Sequence, residues 1–174
     1  DIGSGDKYSL GSGFQISPQG HVATNFHVIS AFAHEPDKYR LELVTSTGAI
    51  ESALLRNIDV VHDLAILKAD GLTPQFLSLA SKPLEKGRRI YSVGNPFDLG
   101  MTIIEGTYNG LVKRSRYQKI LFSGSLNSGM SGGPTVSATG EVVGINVSKA
   151  GEQISFLVPA SHLQILMGWL PAPE

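Results

Sequence analysis

Three residues of this chain have types and settings that could combine in chemistry: a serine among glycines, a histidine ending an apolar run and an aspartate opening another. The serine is Ser131, in Asn127-Ser128-Gly129-Met130-Ser131-Gly132-Gly133-Pro134. A nucleophilic hydroxyl needs a turn that exposes its Oγ and aims backbone N–H groups at one point. Glycine permits both the dihedrals and the close approach of a substrate. In such a turn the Gly129-Met130-Ser131 loop would form an oxyanion hole through the amides of Gly129 and Ser131. Taken alone, the segment reads equally as a hairpin turn rich in glycine and serine.

The histidine is His27, after the apolar stretch of Val22-Ala23-Thr24-Asn25-Phe26-His27-Val28-Ile29, and the aspartate is Asp63, heading Leu64-Ala65-Ile66-Leu67-Lys68. Each by itself has an ordinary structural reading, as a strand-end histidine and a turn aspartate. Together they change the argument. A serine nucleophile requires a base within hydrogen-bond reach and a carboxylate that holds this base in the right tautomer, and all three are present in the order His, Asp, Ser.

The elements that must position these residues read as all-β. Short apolar runs are separated by turn signals at intervals of roughly eight to twelve residues, the pattern of barrels or sandwiches. Strands are expected over 9–16, 21–24, 40–45, 50–57, 64–68, 89–94, 102–111, 119–124, 142–148 and 153–158, joined by turns such as Ser17-Pro18-Gln19-Gly20 and Ala138-Thr139-Gly140. One helix is expected, from Ser161 to Trp169. Leu163, Leu166, Met167 and Leu170 repeat at helical spacing, and Pro171 stops it. It should pack outside the second of two barrels. Residues 72–86, with Pro74 and Pro83, read as the connection between the two halves.

Composition excludes several classes. The 174 residues carry a net charge of −1, so no bulk field points to nucleic acid as a partner. There is no cysteine, hence no thiol nucleophile, zinc thiolate site or disulfide framework. No apolar run approaches the ~20 residues needed to span a bilayer. His21, His34, His62 and His162 form no metal-ligand spacing and read as surface or loop residues, so neither metal nor other cofactor is expected. Gly129-Met130-Ser131-Gly132-Gly133 also satisfies the nucleophile-elbow pattern of α/β-hydrolases. That fold needs acid and histidine after the serine and alternating strands and long helices before it, which this chain lacks.

Taken together, "GSGFQIS", "HVATNFHVI", "DLAILK", "GNPF" and "GMSGGP", in this order over most of the chain, resemble trypsin-like (chymotrypsin-fold) serine peptidases, and within them the HtrA/Deg-type bacterial protease domain. The resemblance implies two perpendicular six-stranded Greek-key barrels with a C-terminal helix and the active site in the cleft between the barrels. The N-terminal barrel would span 1–75, the linker 76–88, the C-terminal barrel 89–159, the helix 160–170 and a linker or tail 171–174. His27 and Asp63 would come from the first barrel and Ser131 from the second. The resemblance also implies a polypeptide substrate, a homo-oligomer such as a trimer, a peptide-binding domain downstream and a bacterial extracytoplasmic setting.

It places a specificity pocket beside Ser131, lined by Ser125, Leu126, Asn127 and Ser128, by Asn146, Val147 and Ser148, and by Phe156. None is acidic, so cleavage after small or medium aliphatic residues is expected, with the 146–148 strand pairing the backbone of an extended substrate. One position departs from the pattern. Digestive relatives have an aspartate before the nucleophile that pairs with a new amino terminus, and HtrA-type domains commonly have asparagine; here it is Met130. No such ion pair can form. A collapsed oxyanion loop would make the protein a latent enzyme or a peptide-binding adaptor, and an esterase would use the same triad. The only basic cluster, Lys113-Arg114-Ser115-Arg116-Tyr117-Gln118-Lys119, reads as a solvated hairpin tip or a dock for an acidic partner.

Overall fold

A computed structural model describes residues 10–94, 101–113, 115–127 and 129–170. Strands β1 (Phe14–Gln15), β2 (His21–Thr24), β3 (Leu41–Val44), β4 (Ile50–Asp59) and β5 (Leu64–Lys68), with helix α1 (Phe26–His34), make up the first half. Strands β6 (Arg89–Gly94), β7 (Thr102–Leu111), β8 (Ile120–Ser123), β9 (Pro134–Ser137), β10 (Val142–Gly151) and β11 (Ile154–Pro159), then helix α2 (Ala160–Gly168), make up the second. The second half closes into the expected six-stranded barrel in the order β10-β11-β8-β7-β6-β9. The first half differs from expectation. Among the described residues it is an open five-stranded sheet, β1-β2-β5-β4-β3, because β1 is only two residues long and β3 pairs with β4 alone.

The β5 sequence shows why the halves stick together. Its residues from Leu64 to Leu67 are all buried, so the strand is apolar on both faces, as expected of a strand covered on two sides. Ala65 and Leu67 face a small core with Val22, Ile29 and Ala53, capped by α1. Leu64 and Ile66 face the opposite way and share a cluster with Val142, Ile145 and Val158 of the second barrel and with Leu163 and Leu166 of α2. The helix therefore packs on the outer face of the second barrel, as expected, and also reaches across to the first half. Its Leu166 carbonyl accepts a hydrogen bond from Asn57 Nδ2 at 3.3 Å. The second barrel has its own interior of Ile90, Tyr108, Ile120, Phe122, Leu126, Met130, Val143 and Leu157.

Candidate functional site

His27 sits in the first turn of α1, an element not expected from the sequence, where only the strand over 21–24 that precedes it was read. A helix start leaves backbone N–H groups without intrahelical partners. Asn25 stands at the N-cap with extended backbone (φ −84°, ψ 148°) but makes no side-chain cap bond. Its Nδ2 instead donates to the Asp63 carbonyl at 2.9 Å. Asp63 does the capping from 36 positions away: Phe26 N–H donates to the Asp63 carbonyl at 3.1 Å and His27 N–H to Asp63 Oδ1 at 2.8 Å. The other carboxylate oxygen, Oδ2, lies 2.6 Å from His27 Nδ1. One carboxylate thus fixes both the backbone and the ring of His27.

This geometry sets the chemistry of the ring. With Nδ1–H engaged by the carboxylate, the free lone pair of neutral His27 is on Nε2, the tautomer required of a general base. The Asp63 hydrogen bond, reinforced by its charge, outweighs partial burial and raises the His27 pKa above its ordinary value. Asp63 occupies a left-handed backbone conformation (φ 56°), a region that aspartate tolerates better than most residues. The expected "turn aspartate" and the expected "carboxylate partner" are the same geometry.

Ser131 lies in a loop packed against the end of β2. At Gly132 (φ +90°) a Cβ would fall 2.3 Å from the Ser12 carbonyl oxygen and 3.0 Å from Asn25 N, so only glycine fits there. Gly129 also has positive φ (+93°). Three successive carbonyls of the loop are held. Gly129 O accepts from Ser12 Oγ (2.5 Å), Met130 O from Gly133 N–H (3.0 Å) and Asn146 Nδ2 (3.3 Å), and Ser131 O from Ser12 N–H (2.9 Å). Among the described residues no acceptor is paired with the amides of Gly129 and Ser131. The Ser131 hydroxyl donates to the Val147 carbonyl at 2.8 Å, and among the described residues no hydrogen bond joins it to His27.

Met130 is fully buried in the second barrel's interior, where it touches the space that a side chain at Gly94 would take. An apolar anchor therefore replaces the ion pair that this position cannot make, and it tethers the loop from beneath. Met130→Ala is expected to lower the free energy of unfolding by about 2–5 kcal/mol, the usual cost of emptying a large buried site. A urea midpoint equal to that of the parent protein would show that the side chain does not anchor the loop.

Several residues expected around a specificity pocket lie elsewhere. Asn146 is completely buried: its Oδ1 accepts from Thr135 Oγ1 and Ser92 Oγ, and its Nδ2 reaches Met130 O. It is a strut behind the loop, not a pocket wall, because β10 turns it into the barrel. Leu126 is likewise a core residue, its N–H held by Ser155 Oγ at 3.0 Å. Ser125, Asn127, Val147, Ser148 and Phe156 keep some exposure, while Ser128 and the Asn95-Pro96-Phe97 motif lie outside the described residues. Tyr117, Gln118 and Lys119 of the basic cluster belong to the tip of the β7–β8 hairpin, as expected, with Arg116, Tyr117 and Gln118 exposed to solvent and the Val112 N–H donating to the Lys119 carbonyl at 2.8 Å. They line a cavity of about 250 Å³ with Asp63, Val147, Ser148 and Phe156, and Lys119 Nζ sits 5.3 Å from the Phe156 ring centroid.

His62 and His162, expected at the surface, stack with ring centroids 3.8 Å apart, His62 Nδ1 lying 2.7 Å from Asp59 Oδ2. Among the described residues no group of three or more histidines or carboxylates is gathered as a metal-ligand set. The contribution of Ser12 was missed at the sequence level. Its signal is the Gly11-Ser12-Gly13 triplet, a second place where glycine lets backbones approach closely: a Cβ at Gly11 would lie 3.3 Å from the Ser131 carbonyl oxygen.

Comparison with known proteins places the chain in a family and a fold. The family model for a trypsin-like peptidase domain matches residues 11–145. The chain is 33% identical over 167 residues to serine protease HTRA1 of Xenopus laevis, covering 90% of this chain and 35% of the relative. It is 32% identical over 165 residues to serine protease HTRA3 of Homo sapiens, covering 89% and 36%. The chain thus spans about a third of the length of these curated relatives. The crystal structure of the serine endoprotease from Yersinia pestis superimposes with a TM-score of 0.79 at 31% identity, over 92% of this chain and 57% of that one.

Proposed function

The chain belongs to the trypsin-like peptidase family, and from that premise we propose that it is the catalytic domain of a serine endopeptidase of HtrA type. Ser131 attacks the scissile carbonyl while His27 Nε2 takes its proton. Asp63 stabilises the resulting imidazolium, and the amides of Gly129 and Ser131 receive the oxyanion. The acyl-enzyme is then hydrolysed by water with His27 again as base. The observation that carries this reading is the double grip of Asp63 on His27, through Oδ1 to the backbone and Oδ2 to Nδ1. A solely structural cap would not also need to fix the imidazole tautomer.

The substrate is proposed to be an extended or unfolded polypeptide. Strand β9 pairs with β10 only as far as Ile145, and the Ser131 loop continues that edge only to Asn146. Among the described residues no strand pairs with this edge of β10 from Val147 onward, and once the Ser131 hydroxyl turns from the Val147 carbonyl the edge can take an added antiparallel strand beside the nucleophile. The side chain preceding the cleaved bond would meet Ser125, Asn127, Val147 and Phe156. None of these four is a carboxylate, the Asp63 carboxylate of the adjoining cavity is committed to His27, and Lys119 stands over the Phe156 ring. Seating arginine or lysine there without a counter-charge would cost on the order of 3 kcal/mol, about a hundredfold in kcat/KM. A peptide library should therefore be cut mainly after small or medium aliphatic residues. Dominant cleavage after Arg or Lys would refute this pocket.

A second reading, a latent enzyme or non-cleaving adaptor, draws on one observation: the Ser131 hydroxyl is turned to the Val147 carbonyl. The three held carbonyls of the loop favour a competent hole, and a single rotation about the Ser131 Cα–Cβ bond frees the hydroxyl. Hydrolysis of casein, present in the parent chain and lost in Ser131→Ala, decides between the two. Assembly into trimers and a bacterial extracytoplasmic setting are proposed by analogy with HtrA-type proteases. Among the described residues no helix is long and apolar enough to cross a membrane.

A further inference from the structure

We propose that Ser12 is a positioning residue for the reaction, its hydroxyl holding the oxyanion-hole loop in the shape that stabilises the transition state; this rests on the endopeptidase reading above. Ser12 belongs to the first half of the molecule, two residues before β1, whereas the loop it grips belongs to the second. Its N–H donates to Ser131 O at 2.9 Å, its Oγ donates to Gly129 O at 2.5 Å, and its own carbonyl accepts from Thr24 Oγ1 at 2.7 Å. Thr24 ends β2, three residues before His27. One short stretch of chain therefore ties the strand that leads into the base-bearing helix to both ends of the segment that carries the nucleophile.

The argument for a positioning effect comes from peptide planarity. A carbonyl and the N–H of the following residue point in opposite directions across one rigid plane. Holding Gly129 O aims the Met130 N–H at Asn127 O (3.1 Å), and holding Ser131 O aims the Gly132 N–H at Asn146 O (2.8 Å). The plane between them has its carbonyl on Gly133 N–H and Asn146 Nδ2 and leaves the Ser131 N–H directed away, toward the oxyanion position. The Gly129–Met130 plane borders a glycine at φ +93°, which has no Cβ to resist rotation, and on its N–H side it is held by Asn127 O alone. On the carbonyl side its partner is the Ser12 hydroxyl, contributed from across the cleft. This plane carries the Met130 N–H and lies between the two that bear the Gly129 and Ser131 N–H donors, so without that hydroxyl it can turn about the Gly129 and Met130 torsions and carry those donors out of alignment while the substrate-binding edge of β10 stays as it is.

The test is steady-state hydrolysis of a fluorogenic peptide ending in an aliphatic residue, on the parent chain and on Ser12→Ala, Ser12→Thr and Ser12→Val, with thermal unfolding of each. Misplacing oxyanion donors typically costs on the order of ten- to a thousandfold in kcat. Ser12→Ala is expected to lose about ten- to a hundredfold in kcat with KM changed less than about twofold. Ser12→Thr, which keeps a hydroxyl, should recover most of the loss, and its near-isostere Ser12→Val should not. The proposal is overturned if Ser12→Ala retains kcat within about twofold, if the loss falls on KM, or if Ser12→Thr and Ser12→Val behave alike. Absence of hydrolysis in the parent chain would instead refute the endopeptidase reading, so the two failures are distinguishable.

Discussion

Ser131→Ala should reduce turnover of an unfolded protein by about a million-fold, the loss seen when the nucleophile of such a triad is removed. The expectation follows from the roles in the cleft: no other hydroxyl lies in the Gly129–Gly133 loop within the described residues, and the chain has no cysteine to take its place. The fold should barely notice. The hydroxyl makes one hydrogen bond, to the Val147 carbonyl, worth about 1 kcal/mol. The loop's anchors, Met130 in the core and the carbonyl contacts of Ser12 and Asn146, do not involve it. Release of acid-soluble peptides from casein, with thermal unfolding as control, checks this. Activity above about 1% in a well-folded variant would remove Ser131 from the role of nucleophile.

Asp63→Asn should cost about 10⁴-fold in kcat and move the acid limb of the pH profile. The carboxylate accepts from the His27 backbone and from its Nδ1–H at once. A carboxamide has one acceptor oxygen and one donor nitrogen, so it either leaves a helix-start N–H unpaired or presents N–H to Nδ1 and drives the proton onto Nε2. The pH effect has a definite sign. His27 serves as base only when neutral, and its pKa is raised by the Asp63 hydrogen bond. In the parent chain kcat/KM should therefore fall as the pH drops, with a midpoint above the ordinary histidine value of about 6.5. Removing the carboxylate removes the cause of the rise, so the midpoint in Asp63→Asn should move to lower pH. An unchanged midpoint, or a parent profile flat down to pH 4, would sink the assignment of His27 as base.

The strands most legible in the sequence were those whose pattern reflects burial directly. The expected spans for β5, β6 and β7 coincide with the observed ones, since each is a long run of apolar or alternating residues bounded by turn signals. Strand β9 was invisible because Pro134-Thr135-Val136-Ser137 has no periodicity of its own; it is a strand because β6 and β10 pair with it on either side. Helix α1 was missed for a related reason. Nine residues are too few to be stable alone, and the cap that defines its start arrives from Asp63, far along the chain.

The candidate site divides in the same way. The residue types that can perform acyl transfer, and their order, are properties of the sequence, because a hydroxyl, an imidazole and a carboxylate keep their chemistry wherever they lie. What those groups face is not such a property. Asn146 reads as a pocket residue until β10 turns it inward to Ser92, Thr135 and Met130 O, and Met130 reads as a defect until the barrel core closes around it. Ser12 carries no chemical label at all; it matters because the two halves of the molecule meet there. The sequence alone determined which groups could react. Tertiary structure decided which are held, since hydrogen bonds between residues more than a hundred positions apart, such as Ser12 to Gly129, form only when packing has already brought the backbones together.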